Sequence, residues 1–304
     1  YDGQVPTHSF IKRDFEYISH HWLDLTYDPW EEVRGHHFYT ELLIRKALIE
    51  GANLATKLND PGAAAWYLSQ AQLLKAHLTR FWSPDRGSLV STLPRDNNIN
   101  DSIDYKTSGL DSALIIATLG GTIADDLYPV ENEKILASFA RLVQVFQELY
   151  SINDPTKNIP GVAIGRYPED RYDGYRTNSL GNPWPSLTIG FGLFCYRLAL
   201  SYQINKIIQI TPLNILFFKS LDLEEVFNSS ETLTPRNPRF KAILNALKKK
   251  GDLFLSRIQY HTSPDGSLSE QINRDTGMQQ GASHLNFSYA ALLLAAGARR
   301  ALVP

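Results

Sequence analysis

The sequence predicts an all-α fold, because apolar residues recur at helical spacing in eight segments. No stretch alternates apolar and polar residues for long enough to compete as a ladder of strands. Long polar stretches rich in Gly, Pro and Asp separate the helical segments. With 304 residues, 43% of them hydrophobic, and no linker-like change of composition, the chain is expected to form one domain over residues 1–304.

The first four predicted helices each carry one apolar stripe and cover residues 9–23, 36–58, 60–81 and 113–119. The third begins at Asp60 and Pro61, a pair typical of an N-cap followed by the first helical residue. Ser108 followed by Asp111 resembles a capping box in front of the fourth. These signals place helix starts directly after polar loops.

The last four predicted helices cover residues 135–149, 182–198, 237–258 and 285–302. Asn-Pro pairs at Asn182 and Asn237 are expected to start two of them, and Gly251 lies in the middle of the third. The last segment is apolar nearly all round, which predicts a buried helix. Residues 205–235 are the least periodic and are expected to form a peripheral insertion.

Charge and cysteine content exclude several classes of protein. A net charge of −2, from 30 basic and 32 acidic residues, gives no overall attraction for nucleic acid or anionic lipid. No apolar run is long enough to predict a membrane span. The single cysteine, Cys195, excludes intramolecular disulfides and multi-cysteine metal sites. Adjacent histidines at 20–21 and 36–37 would diverge on a helix, so no metal site is predicted.

The chain opens at Tyr1, with neither a methionine nor the charged and apolar regions of a signal peptide. It is therefore expected to be a mature or truncated product. Its compartment, whether intracellular, vacuolar or secreted, stays open.

Acidic residues crowd the first of four long loops, in the stretch Asp28-Pro29-Trp30-Glu31-Glu32. On a helical turn, Asp28 and Glu31 would share one side while Glu32 points elsewhere. A neighbouring carboxylate and the indole of Trp30 would favour the protonated form of Glu31, as a general acid requires. The same residues fit a solvated acidic helix start, so this motif alone leaves both interpretations open.

A second candidate follows the turn signal Pro264-Asp265-Gly266, which predicts a tight bend just ahead of Glu270 and Gln271. A carboxylate beside an amide can orient and deprotonate a water molecule. A glutamate in a polar loop is more often simply solvated, so this alternative stays open as well.

A third candidate is Gly165-Arg166-Tyr167-Pro168-Glu169-Asp170, which continues to Gly181-Asn182-Pro183-Trp184. An arginine with nearby carboxylates and aromatic rings supplies fixed donors for the vicinal hydroxyl groups of a sugar. A structural Arg–Asp pair that ties a loop down explains the same residues equally well.

Together these stretches resemble glycoside hydrolase family 15, the glucoamylases, and especially its yeast-type members. The likeness runs in order along nearly the whole chain, through residues 11–17, 28–35, 47–51, 165–170, 181–184, 266–271 and 288–291. It implies an (α/α)6 barrel of paired helices, incomplete at its N-terminus, with the active site in the loops at one end. It further implies the C-terminal portion of a catalytic domain, without a separate starch-binding domain.

The resemblance also implies roles for individual residues. Glu31, the first Glu of Trp-Glu-Glu, corresponds to the general acid, and Glu270 corresponds to the base that activates water. Asp28 belongs to the same signature and is kept as a catalytic-site carboxylate and candidate proton acceptor. The residues expected to bind or shape the sugar subsites are Trp30, Glu32, Arg166, Glu169, Asp170, Trp184 and Gln271.

The implied reaction is exo-acting hydrolysis of α-1,4-glucosidic bonds, which releases glucose with inversion from the non-reducing ends of starch, glycogen or maltooligosaccharides. Inversion requires an acid and a base about 6.5–9.5 Å apart, so that a water molecule fits between them. No cofactor is implied, the expected partner is the α-glucan, and a monomer is expected if the full barrel is present. Two alternatives are a glucan-binding remnant that does not hydrolyse, and another (α/α)6 glycosidase such as a trehalase-like enzyme.

The sequence departs from the family pattern at its beginning. The helices that precede Ile11 in glucoamylases, and a Trp-Arg-Asp segment that grips the terminal glucose, are not found here. A barrel without its first helices is expected to leave apolar helix faces open to water. Smaller departures, expected to alter packing near the subsites, are Pro29, Pro185 and Phe287.

Overall fold

The computed structural model describes residues 9–93, 106–120, 127–223 and 227–302, so residues 94–105 of the second long loop lie outside the described part. The helices in these ranges are α1 (Phe10–His21), α2 (Phe38–Lys57), α3 (Pro61–Leu78), α4 (Ala113–Leu119), α5 (Glu133–Leu149), α6 (Pro185–Asn205), α7 (Ile215–Lys219), α8 (Pro238–His261) and α9 (Asn286–Ala301). All except α7 coincide with predicted segments, which confirms the all-α class. α7 has five residues, too few to show a helical repeat in the sequence.

Short strands lie in the loops between the helices. They are β1 (Thr26–Tyr27), β2 (Arg34–His37), β3 (Trp82–Ser83), β4 (Ser88–Leu89), β5 (Thr92–Leu93), β6 (Ile208–Ile210), β7 (Glu231–Leu233), β8 (Gln271–Ile272) and β9 (Gln279–Gln280). β2 pairs antiparallel with both β1 and β5 to form one small sheet, and the remaining strands form three two-stranded pairs. Strands this short show no alternation, which explains why the sequence contains no visible strand pattern.

Two predicted helix starts are confirmed by side-chain caps. Asp60 accepts a hydrogen bond from the backbone N–H of Ala63 at the start of α3. Asn237 accepts one from the backbone N–H of Arg239 at the start of α8. Each side-chain oxygen satisfies a backbone donor that the first helical turn leaves unpaired.

Two other predicted starts are wrong. α6 begins at Pro185 and not at Asn182: the Asn182 Oδ1 that a cap would use accepts from the backbone N–H of Arg274 at 3.0 Å, and its amide donates to Gln271. The capping box predicted before α4 does not form: the N-cap is Ser112, and the Ser108 hydroxyl accepts from the backbone N–H of Leu110 and donates to Glu169. In both places a long-range hydrogen bond engages the side chain that a local cap would use.

The main core surrounds α6, which packs against both α8 and α9 and also contacts α4. Its centre is aromatic: the ring centroid of Phe139 in α5 lies 4.8 Å from Phe191 and 5.0 Å from Phe194 of α6. A second, smaller core lies between α2 and α3 and includes Trp22 and Tyr67. The loops that carry the three candidate motifs precede α2, α6 and α9, so packed helices support each of them.

The burial predicted for the last helix is wrong. In α9, Ser288 and Ala295 are buried, whereas Phe287 and Leu293 each keep 72% of their surface exposed. α9 packs on α6, and in the described part of the chain much of its apolar surface, including Leu292 and Leu294, is exposed. Among the described helices, none combines the length and the hydropathy needed to cross a bilayer.

Gly251 lies in the middle of α8 because two helices approach each other closely there. A Cβ on Gly251 would lie 2.4 Å from the Tyr196 ring of α6. On the other side, a Cβ on Gly192 of α6 would lie 3.2 Å from the carbonyl oxygen of Gly251. The two glycines therefore permit the close contact of α6 and α8 at a cost in helix propensity.

We expect Gly251→Ala to lower the free energy of unfolding by about 1–3 kcal/mol, because the added methyl group displaces Tyr196. The matched control is Gly297→Ala in α9, where a Cβ meets nothing within 4 Å. This control is expected to stabilise the chain by about 0.5–1 kcal/mol through helix propensity. Urea denaturation measures both variants, and equal changes would contradict the packing argument.

Candidate active site

A tight turn between β1 and β2 presents the acidic motif. The buried Asp28 carboxylate accepts hydrogen bonds from the backbone N–H groups of Glu32 at 2.7 Å and Val33 at 3.0 Å. Glu31 is exposed and has a φ of 61°, in the left-handed region that non-glycine residues rarely adopt. The segment is therefore not the helical turn considered from the sequence, and Asp28 fixes its shape from within.

The buried ammonium group of Lys106 compensates the charge of this motif. Three carboxylate oxygens lie near its Nζ: Asp28 Oδ2 at 2.6 Å, Asp111 Oδ2 at 3.5 Å and Glu32 Oε2 at 3.9 Å. Burial works against a charge on Asp28, but Lys106 and the two backbone donors outweigh it and hold the pKa of Asp28 below its usual value. Burial likewise opposes the charge on Lys106, but the carboxylates raise its pKa.

A second buried carboxylate fixes the indole of Trp30. Its Nε1 donates to both oxygens of Asp111, at 2.9 and 3.1 Å. Burial raises the pKa of Asp111 to about 6 in spite of the nearby Lys106. Asp111 also accepts a hydrogen bond from the backbone N–H of Ala113, so Trp30 is anchored to the first residue of α4.

The guanidinium group of Arg166 joins two of the motifs. It donates to both carboxylate oxygens of Asp170, at 2.8 and 2.6 Å, and to Glu32 Oε1 at 2.8 Å. The other oxygen of Glu32 accepts from the Tyr167 hydroxyl at 2.5 Å. Burial opposes the charge on Arg166, but these carboxylates raise its pKa. Its Nη1 makes no hydrogen bond to a described residue, which leaves a donor for a ligand.

A cavity of ≈ 580 Å³ opens where the motifs meet. The motif residues and their neighbours that line it are Pro29, Trp30, Glu31, Arg166, Tyr172 and Trp184. Much of the remaining wall is apolar and comes from α4, α6 and α9. The Arg166 guanidinium lies 5.4, 5.3 and 5.7 Å from the ring centroids of Trp30, Tyr172 and Trp184, respectively. Aromatic surfaces beside a few fixed donors suit a ligand that has both apolar faces and hydroxyl groups.

Glu270 is not among the described residues that line this cavity, but it contacts Tyr172, which is. Glu270 precedes β8, and its Oε2 accepts a hydrogen bond from the backbone N–H of Ala282 at 3.2 Å. Burial and a hydrogen bond to the Glu270 carboxylate raise the pKa of the Tyr172 hydroxyl, whose ring lines the cavity. A Cβ on Gly281, which has a φ of 77°, would lie 2.6 Å from Glu270 Oε2, so the close approach of this backbone requires glycine.

Three of the predicted subsite residues bind neighbouring protein groups. Glu169 accepts hydrogen bonds from the backbone N–H and the hydroxyl of Ser108, at 2.6 and 3.0 Å. Gln271 is fully buried and accepts one from Asn182 at 2.9 Å, and the Asp170 carboxylate is engaged by Arg166. Neither these three residues nor Glu32 are among the described residues that line the cavity.

A family profile described as "Glycosyl hydrolases family 15" matches residues 4–297. The chain belongs to this family. Curated relatives include the glucoamylase of Blastobotrys adeninivorans, 32% identical over 99% of this chain and 48% of its own length. Glucoamylase 1 of Rhizopus oryzae is 32% identical over 95% of this chain and 46% of its own length. The chain thus spans about half the length of these two relatives.

Solved structures give the same result for the fold. The glucoamylase from Saccharomycopsis fibuligera matches with a TM-score of 0.87 and 32% identity, over 97% of this chain and 62% of that one. The family 15 glucoamylase from Hypocrea jecorina matches with a TM-score of 0.82 and 29% identity, over 97% of this chain and 47% of that one. These likenesses confirm the predicted resemblance and the (α/α)6 barrel class.

Sequence reasoning missed three residues of this family 15 site. Lys106 lies in a polar loop, and its partner Asp28 lies 78 positions away, so no local signal marks it. Asp111 fits a capping box in the sequence, and this local pattern gives no sign of its hydrogen bond with Trp30. Tyr172 carries a usable signal, because it follows the third motif by two residues.

We expect Lys106→Met to lower the free energy of unfolding by about 3–5 kcal/mol, because it leaves Asp28 buried without its counterion. Lys248→Met is the control, since Lys248 forms a surface ion pair with Asp252 at 3.2 Å. The control is expected to change stability by less than about 1 kcal/mol. Chemical denaturation compares the two, and a similar small loss in both would refute the importance of the buried network.

The pH dependence of stability tests Asp111. Because its pKa rises from 3.8 to about 6 on folding, its stabilising contribution is present below about pH 4 and is lost as the pH rises through about 6. Asp111→Asn stays neutral and keeps an acceptor for Trp30. We therefore expect this variant to gain about 3 kcal/mol relative to the wild type between about pH 4 and pH 7. Unfolding free energies measured across this range check the prediction.

Asp28→Asn provides the contrast, because folding lowers the pKa of Asp28 whereas it raises the pKa of Asp111. Burial disfavours the Asp28 anion, but Lys106 lowers its pKa below 3.8, so the stabilisation is present above that pH and lost as the pH falls. We expect Asp28→Asn to be less stable than the wild type at neutral pH, with a difference that shrinks in acid. A difference for Asp111→Asn that does not vary with pH would exclude Asp111 as a titrating group.

Proposed function

We propose that this chain carries the catalytic residues of a glucoamylase-type enzyme. The proposed reaction is exo-acting hydrolysis of α-1,4-glucosidic bonds at the non-reducing ends of starch, glycogen or maltooligosaccharides, which releases glucose with inversion. Membership of family 15 and relatives named glucoamylase support the substrate class. The observation that carries the proposal is the cavity lined by Glu31 and Tyr172, because Tyr172 contacts Glu270.

Glu31 is the proposed general acid. It occupies the exposed apex of the turn and lines the cavity beside Trp30. In this role its carboxyl group donates a proton to the glycosidic oxygen while the bond from that oxygen to the anomeric carbon breaks. The glucan that leaves then carries a neutral hydroxyl group, and positive charge develops on the glucosyl unit.

Glu270 is the proposed base. In this role its carboxylate takes a proton from a water molecule, whose oxygen attacks the anomeric carbon from the face opposite to the leaving group. The hydrogen bond from the backbone N–H of Ala282 and the contact with Tyr172 support a fixed orientation of this carboxylate. Inversion requires a gap of about 6.5–9.5 Å between acid and base, so that a water molecule fits between them.

The remaining motif residues are proposed to bind and place the sugar. Arg166 offers Nη1 to sugar hydroxyl groups, and Trp30 and Trp184 offer their rings to the apolar sugar faces. The Nε1 of Trp184 is buried and has no hydrogen-bond partner among the described residues, so it is a further donor if a sugar oxygen reaches it. Glu32 and Asp170 orient Arg166.

Three residues complete the proposed site by holding these groups in place. Asp28 fixes the turn that carries Glu31, and Glu169 holds the backbone of Ser108 next to Lys106. Gln271 holds the segment that follows Glu270 through its bond to Asn182. The proposed contribution of these buried polar residues is therefore preorganisation. Groups that are already in position lower the free-energy cost of reaching the transition state.

Glucose release from maltotriose tests the assignment of the acid. We expect Glu31→Gln to lower kcat by about 10²–10⁴-fold, because the amide cannot protonate the leaving group. Glu270→Gln is expected to cause a comparable loss, whereas the control Glu148→Gln, on the exposed side of α5, is expected to leave the rate unchanged. The anomeric form of fresh glucose, followed by NMR, reports inversion.

Three results would contradict the proposal in different ways. Equal rates for the wild type and Glu31→Gln would remove Glu31 from its role. Maltose binding without turnover would identify a glucan-binding protein that does not hydrolyse. Turnover of trehalose but not of maltotriose would identify a trehalase-like enzyme.

A further inference from the structure

Three side chains from separate elements converge where β2, α2 and α3 meet. His36 lies in β2, Glu41 in the first turn of α2 and His77 in the last turn of α3. His36 Nδ1 lies 3.1 Å from Glu41 Oε1, and His77 Nδ1 lies 2.7 Å from Glu41 Oε2. One ligand atom from each residue lies within 4.8 Å of the other two. Two imidazole nitrogens and a carboxylate therefore share one small space.

The spacing of these atoms is close to that of a tetrahedral metal site. Zinc–nitrogen and zinc–oxygen bonds of about 2.0–2.2 Å place neighbouring ligand atoms about 3.3 Å apart. The observed nitrogen–oxygen separations, 3.1 and 2.7 Å, go to different oxygens of Glu41, and one ligand atom from each residue lies within 4.8 Å of the other two. A shared ion therefore requires the three side chains to adjust toward a common centre.

Neighbouring groups hold the three residues in position. The ring centroid of His77 lies 5.9 Å from Trp22 and 6.3 Å from Phe81. Side-chain exposure is 20% for His36, 11% for His77 and 4% for Glu41. The carboxylate is thus enclosed, while the side of His36 is open to a water molecule. Fixed surroundings of this kind orient metal ligands.

Arg80 shows which nitrogen of His77 is available. Its Nη1 lies 2.9 Å from His77 Nε2, and a guanidinium group only donates, so Nε2 accepts and Nδ1 carries the proton shared with Glu41. A metal ion would replace the proton at Nδ1, and Nε2 would then gain a hydrogen. Arg80 is exposed, and its hydrogen bond to Nε2 is lost in the metal-bound form.

We propose that His36, Glu41 and His77 form a structural binding site for Zn²⁺ or a similar divalent transition-metal ion, with water as the fourth ligand. Two imidazoles and one carboxylate suit zinc, whereas Mg²⁺ and Ca²⁺ prefer oxygen ligands. The sequence analysis excluded a metal site built from two adjacent histidines. In the structure, by contrast, each of the three ligands comes from a different element. The bound ion links β2, which directly follows the acidic turn, to the α2–α3 pair.

Zinc titration of the chelator-treated chain tests the site. We expect one Zn²⁺ per chain by calorimetry, and a rise in Tm of about 4 °C at about a hundredfold excess over Kd. Co²⁺ in place of Zn²⁺ is expected to give the visible absorption of a tetrahedral complex. His36→Gln and His77→Gln are each expected to weaken Zn²⁺ binding at least about tenfold.

The matched control is His21→Gln, because His21 forms a surface pair with Asp24 at 2.8 Å that lacks a third ligand. This control is expected to retain wild-type zinc affinity. Binding that survives both His36→Gln and His77→Gln, or the absence of a zinc-dependent Tm shift, would overturn the proposal. If His77→Gln does not fold, His36→Gln alone decides the result, because His36 is partly exposed and its replacement disturbs the core less. An equal shift with Mg²⁺ would also overturn it.

Discussion

The desolvated charge network around Lys106 is the interaction on which the candidate site depends. The turn places Glu31 at a φ of 61°, a conformation that costs a non-glycine residue about 1 kcal/mol or more. Asp28 offsets this cost through hydrogen bonds to two backbone N–H groups. Asp28 is in turn stable as a buried anion because the Lys106 ammonium lies 2.6 Å away. One cation therefore supports the exposure of Glu31 and, through Asp111, the position of Trp30.

Glu32 connects this network to the second cationic centre. Its carboxylate lies 3.9 Å from Lys106 and accepts a hydrogen bond from Arg166 at 2.8 Å. Buried ion pairs rarely add stability beyond what apolar packing provides, so their value here lies in geometry. Arg166 is held in one orientation by a bidentate pair with Asp170 and a hydrogen bond to Glu32. The rings of Trp30, Tyr172 and Trp184 lie around this fixed guanidinium group.

Local signals in the sequence predict much of the fold and the kinds of side chain in the candidate site, which are carboxylates, an arginine and aromatic rings. Helix positions follow from apolar periodicity, and Asp60 and Asn237 act as the caps that their neighbours indicate. The two wrong helix starts both involve a partner that is distant in the chain. Ser108 binds Glu169, 61 positions away, and Asn182 binds Gln271, 89 positions away. α9 failed for a different reason: periodicity reports an apolar surface but not whether another element covers it.

The same contacts separate carboxylates that hold the site from those that are free to react. Asp28, Asp111 and Asp170 are buried and bind fixed donors. For Asp28 to take a proton from water, it would have to lose the ammonium that lowers its pKa against the effect of burial. Glu31 carries no ion pair or hydrogen bond from its carboxylate to a described residue, and it lines the cavity. In the proposed reaction the proton donor must contact the substrate, and among the acidic residues of this turn Glu31 is the one that lines the cavity.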